Sequence, residues 1–192
     1  MTRKVQITSE RVVHTYAEMW STSFHLVEMA KRVKDGGSHD LLMGSLVFTA
    51  FALEAYFNHI GPMIFHCWND LESLGPKEKL NVIAEKIGIK VDYGQRPWQS
   101  LHDLFGFRND IAHGKTHKLS NSKIESLENH NRNPWPYRAE TRWEKYCILE
   151  NAERARKDVR AIVYSIHEAT KFLGEMPFTF GLDIGGSFLL PE

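Results

Sequence analysis

Within the stretch LFGFRNDIAHGK, Leu104 to Lys115, the residues Arg108, Asn109 and His113 set a guanidinium, an amide and an imidazole close together. A guanidinium grips an oxyanion bidentately and stabilises negative charge that develops there. An imidazole takes up and releases protons near neutral pH. The set therefore suits binding an anion and moving a proton beside it. A structural reading competes with this one. An arginine on the packed side of a helix pairs with a buried carboxylate, and a histidine at a helix end caps free carbonyls.

A helix must position these groups. Pro97 opens one from Trp98 to His113, and Gly114 stops it. At about 100° per residue, Leu101, Leu104, Phe105 and Ala112 share a face, with Arg108 inside that apolar stripe. His102, Gly106, Asn109 and His113 line the adjacent flank. Gly106 removes a side chain from the middle of the flank and permits close approach of another group. On this wheel Asn109 stands about 40° from His113, whereas Arg108 stands about 140° from it. For Arg108 and His113 to reach one ligand, Arg108 must reach around from the core stripe or the bundle must open there. The expected structural partner of Arg108 is Glu54, which forms an i, i+4 polar pair with Asn58 in an otherwise apolar helix.

The surrounding pattern is that of an all-α bundle of four main helices with short accessory helices. The first helix is expected from Glu10 to Lys34, with Val13, Ala17, Trp20, Phe24 and Val27 as its apolar face and Gly36-Gly37 as its stop. The second follows Ser38 and runs to Ile60. Its inner stripe is Leu46, Ala50, Leu53, Phe57 and Ile60, and Gly61-Pro62 is expected to break or kink it before a short piece that reaches Trp68. A compact helix begins at Pro76 and closes at Gly88, and residues 89–97 form a connector. The last helix is expected from Glu140 to Leu173, with Ile148, Ala152, Ala155, Val159, Ile162, Ile166, Ala169 and Leu173 on its inner face and Gly174 as its stop.

Residues 115–138 make a connection too long for an ordinary bundle loop. It is locally basic, with Lys115, Lys118, Lys123, Arg132 and Arg138, and it carries Trp135 and Tyr137. The tail, 175–192, is apolar and glycine-rich, which fits an extended segment packed on a neighbour. The whole chain, 1–192, reads as a single domain with its core at about 9–174.

The 192 residues include 24 basic and 24 acidic side chains, so the formal net charge is zero. That argues against a binder that relies on a broad basic field. Two cysteines, Cys67 and Cys147, make no disulfide framework and fit a reducing, cytoplasmic setting. The most apolar run, residues 41–65, contains Glu54, Asn58 and His59, which favours a buried bundle helix over a membrane span.

Arg108-Asn109-Asp110-Ile111-Ala112-His113 matches the R-x4-6-H motif, in its RN…H form, of the HEPN superfamily. The acidic second-helix segment FALEAYFNHI and the closing segment RWEKYCILENAERARKDVRAIVYSIHEATKFLG also resemble that superfamily. The likeness covers about Ser9 to Gly174. The bare motif is permissive, since Arg32…His39, Arg96…His102 and Arg160…His167 satisfy it too. Position singles out Arg108…His113: an RN start, an apolar stripe and a glycine stop before a final long helix.

The resemblance implies a helical, homodimeric, metal-independent endoribonuclease, with a toxin or defence role among the possibilities. RNA carries its own nucleophile, the 2′-hydroxyl. Cleavage needs a base for that hydroxyl, a cation on the phosphorane-like transition state and a proton for the leaving 5′-oxygen. His113 would move the proton, Arg108 would hold the phosphate and Asn109 would orient either one. The product end would be a 2′,3′-cyclic phosphate. One chain offers one motif histidine, so a twofold dimer would place two motifs across one groove. Lys115 and Lys118 would hold the RNA backbone, and Glu54, Asn58 and His102 would support the site. An antitoxin or regulatory partner is compatible with this reading, and no membrane partner is foreseen. The alternative is a non-catalytic helical module that dimerises or binds a partner with the same fold. No cofactor motif is present. His113 and His117 have H-x3-H spacing, but Gly114 interrupts the helix that would align them, and His59, His66 and Cys67 read as filler, so no metal site is expected.

Overall fold

Leu46, Ala50, Leu53, Phe57 and Ile60 recur at alternating four and three, and all five are buried in the middle helix of the bundle. The structure is a computed structural model that describes residues 4–33, 37–132, 138–170 and 176–189. In chain order the elements are β1 (Val5–Arg11), α1 (Thr15–Arg32), α2 (Ser38–Ile64), α3 (Trp68–Leu71), α4 (Pro76–Ile87), α5 (Ser100–Ala112), α6 (Leu127–Arg132), α7 (Arg142–Tyr146), α8 (Leu149–Thr170) and β2 (Asp183–Leu189). Of the sequence expectations, those on Lys34, Gly36, Trp135, Tyr137, Leu173 and Gly174 lie outside the described residues.

Helix α2 is the hub, in contact with α1, α4, α5 and α8. It is long and apolar enough to span a membrane by length and composition, yet half of its most apolar window is buried within the bundle. Between α1 and α2 small residues let the backbones approach. Ser23 Oγ donates to the Ser45 carbonyl at 3.0 Å and Ser45 Oγ to the Ser23 carbonyl at 2.9 Å, so both buried hydroxyls are satisfied. Helix α4 starts at Pro76 and ends at left-handed Gly88, as its sequence indicates. The start of α5 is anchored to α8. Arg96 donates through Nε and Nη2 to the buried Asp158 carboxylate, which also accepts from Ser100 Oγ.

Four expectations are corrected. The chain is mostly helical, consistent with the all-α class, but its first helix is shorter than foreseen, because β1 and β2 form a small antiparallel ribbon, with Val5 opposite Leu189 and Arg11 opposite Asp183. The chain therefore enters its first helix at Thr15 rather than Glu10. Val13 and Phe24 of its foreseen apolar face are exposed, while Ala17 and Val27 are buried. Within the described part of the tail, Asp183–Leu189 is extended as expected, and its partner is the N-terminal strand.

Next, α2 continues through Gly61-Pro62 to Ile64. Pro62 falls in the last turn, and the helix terminates just beyond it. Gly61 serves packing, because a Cβ there would collide with the Trp68 indole. The foreseen last helix is two helices. Thr141 and Glu144 form a capping box that starts α7, and the chain breaks at Cys147-Ile148 before α8. That break leaves Ile148 exposed, and Ala169 is exposed near the other end of α8. Finally, the buried stripe of α5 is Leu101, Leu104 and Phe107, with Ile111 half-buried; Phe105 is half-buried and Ala112 exposed.

Candidate functional site

Helix α5 brings its stripe against α2, which sets Arg108 opposite Glu54. Arg108 Nη2 forms the expected ion pair with Glu54 Oε2. The pair is not sealed: the Arg108 side chain retains 19% exposure and Glu54 21%. The guanidinium also lies 5.4 Å from the Phe51 ring centroid, an orientation that favours a cation. Lys79 of α4 reaches the same carboxylate, with Nζ 3.8 Å from Glu54 Oε1, and is only 3% exposed. One carboxylate thus serves two cations, and the cluster carries one net positive charge. Arg108 Nε and Asn58 Oδ1 are buried without a hydrogen-bond partner among the described residues.

Asn109 joins the rest of the motif. Its Oδ1 accepts from Arg108 Nη1 at 2.9 Å, and its backbone carbonyl accepts from the His113 N–H at 3.0 Å. His113 caps α5 and is exposed.

The flank of His102, Gly106 and Asn109 lines a groove of ≈ 670 Å³. Its opposite wall is the first turn of α4, Gly75 to Glu78, and Tyr93 completes it. Tyr93 is fixed by a 2.6 Å hydrogen bond to Asn81 Oδ1 and by Lys77 Nζ 4.5 Å from its ring centroid. His113, Lys115 and Lys118 do not line this groove; all three are exposed. The opening left at Gly106 is used by α7, since a Cβ there would meet the Arg142 guanidinium, which pairs with Asp110 at 3.6 Å.

The structure therefore brings Arg108, Asn109 and Glu54 into contact and places His102 beside Asn109 along one wall. It leaves His113 at the helix end and the two lysines on the loop. Sequence reasoning missed Lys79 and Phe51. A lysine in an amphipathic helix reads as surface, and only the three-dimensional meeting of α4 with α2 buries it. No family model, curated protein or solved structure matches this chain.

Proposed function

We propose that the protein is a metal-independent endoribonuclease of HEPN type that acts as a homodimer and leaves 2′,3′-cyclic phosphate ends. The observation that carries this reading is the excess of cation at the motif: Arg108 and Lys79 share the single carboxylate of Glu54. A phosphate oxygen approaching Arg108 meets a guanidinium pinned in place and a local charge that welcomes an anion. Asn109, bonded to Arg108 through its side chain, lies one helical turn before His113, between the phosphate-holding group and the proton-transfer group along α5. His113 takes the 2′-hydroxyl proton, and a second motif histidine across a twofold axis protonates the leaving 5′-oxygen. Lys115 and Lys118, exposed just beyond His113, hold the strand on either side.

The test is incubation with RNA in excess chelator, comparing the parent with His113→Ala and scoring cyclic-phosphate ends. Loss of cleavage on His113→Ala supports the assignment. Equal cleavage by both, or by neither, overturns it.

A second reading draws on the Arg108–Glu54 ion pair itself. In a non-catalytic helical interaction module the pair would serve to fix α5 on α2. Arg108→Ala would then lower stability without altering any RNA phenotype.

A further inference from the structure

A second concave site lies away from the motif, where α1, α8 and the segment at 177–180 meet. Its volume is ≈ 550 Å³, within the range of small-ligand pockets. Three cations line it, Arg156, Lys157 and Arg160, all from α8, and among the described lining residues none is acidic. The carboxylates around them are taken elsewhere: Asp158, next to Lys157 in sequence, pairs with Arg96 at 2.7 Å, and Glu153 and Glu28 both pair with Lys31, each at 2.8 Å. No carboxylate among the described residues pairs with Arg156, Lys157 or Arg160.

Arg156 is held firmly. Its guanidinium lies 4.0 Å from the Trp20 ring centroid, and Nη1 donates to the Trp20 carbonyl at 3.0 Å, its one hydrogen bond among the described residues. Its remaining donors are left for a ligand. Burial, with help from neighbouring Arg160, pulls its pKa down to about 10, the mark of a cation kept in a partly dry place. Trp20 is already engaged by Arg156 and by Phe178, stacked at 4.4 Å, so it forms the floor of the site. Phe24, with the Arg156 guanidinium 5.5 Å from its ring centroid on one side, and Phe180 are 48% and 51% exposed, so each still offers ring surface to a ligand.

We infer that this pocket binds a nucleoside phosphate, with the phosphates on Arg156, Lys157 and Arg160 and the base against Phe24 and Phe180. Three cations at i, i+1 and i+4 suit a group with more than one negative charge, and the exposed rings suit a planar base. The inference does not depend on the ribonuclease reading. The same chemistry is offered by a free nucleotide and by one nucleotide of a strand, so both are tested.

Binding of ATP, inorganic tripolyphosphate and a short single-stranded oligonucleotide to the full chain is measured by calorimetry. Three variants are compared: Lys157→Glu/Arg160→Glu, Phe24→Ala and Arg108→Ala. All changed side chains of the first two lie on exposed positions, and circular dichroism confirms their folding. The double variant is expected to weaken ATP at least tenfold, and Arg108→Ala to leave it unchanged. Phe24→Ala is expected to weaken ATP severalfold but not tripolyphosphate. Binding of the oligonucleotide alone, with the same losses, assigns the site to a strand. No binding of either ligand by the parent, equal binding by the double variant, or loss of ATP binding by folded Arg108→Ala overturns the inference.

Discussion

Asn109 Oδ1 accepts a hydrogen bond from Arg108 Nη1 at 2.9 Å, although the two side chains leave neighbouring positions of α5 and point about 100° apart on an ideal wheel. Arg108 spans from the α2 face toward the groove wall, and Asn109 meets it there. A guanidinium engaged by Glu54 on one nitrogen and Asn109 on another has little rotational freedom left. Positioning of this kind raises the value of a cation toward a transition state, because its reorganisation has already been made.

Under the ribonuclease reading, Asn109→Ala lowers cleavage by about tenfold, through looser positioning of Arg108. His113→Ala costs about 10²- to 10⁴-fold, the usual range for a proton-transfer group. Single-turnover rates on one RNA substrate check the ranking. An Asn109→Ala defect larger than that of His113→Ala contradicts the assigned roles.

Glu54 is the centre of the ion cluster, so its loss leaves two cations facing each other near α2. Removal of one partner from a buried pair costs about 3–5 kcal/mol. Partial exposure of Glu54 and Arg108 screens this to about 1–3 kcal/mol. Urea unfolding of Glu54→Gln measures it. Because Lys79 is the more deeply buried cation, Glu54→Gln/Lys79→Met is expected to recover much of the loss. A double variant no more stable than Glu54→Gln contradicts the shared-carboxylate account.

Much of the helical scaffold was legible in the sequence because its signals are local. The α2 stripe, the Pro76 start and Gly88 end of α4, and the Arg108–Glu54 pair all follow from periodicity, caps and the cost of an unpaired buried charge. The ribbon was not legible. The stretch VQITSER alternates weakly, and its partner lies at the far end of the chain. The break at Cys147-Ile148 was hidden because no glycine or proline marks it, although the four-three rhythm begins only at Ile148 and the Thr141…Glu144 capping box was a visible start signal. On α5 the wheel placed Phe105, not Phe107, as the inward aromatic. Packing against Tyr146 of α7, with ring centroids 5.5 Å apart, favours Phe107.

Gly61 and Trp68 make a sharper packing test. Replacement of Gly61 by alanine drives a methyl group into the indole, which is buried and rigid. Overpacking of this sort costs about 1–3 kcal/mol. Gly61→Ala is therefore expected to lower the urea midpoint. The same change made on a Trp68→Ala background should cost far less, because the colliding ring is gone. Equal penalties in both backgrounds place the strain elsewhere.

Alkaline pH tests the junction of α7 and α8. Burial, reinforced by Asp40, pushes the Cys147 thiol up from its ordinary 9.0 to about 11. Burial, reinforced by Asp103, pushes the Tyr146 phenol from 10.0 to about 12. Well below pH 9 both groups are protonated in folded and unfolded chains, and their contribution is constant. Above that, the unfolded chain releases these protons first and so binds fewer than the folded one. Stability must then fall with rising pH, through about 11 for Cys147 and about 12 for Tyr146. Thermal midpoints measured from pH 8 to pH 11 should decline. Tyr146→Phe and Cys147→Ser, each lacking one of these titrating groups, should decline less steeply than the parent. Parallel slopes for all three proteins would exclude these two residues as the source of the alkaline loss.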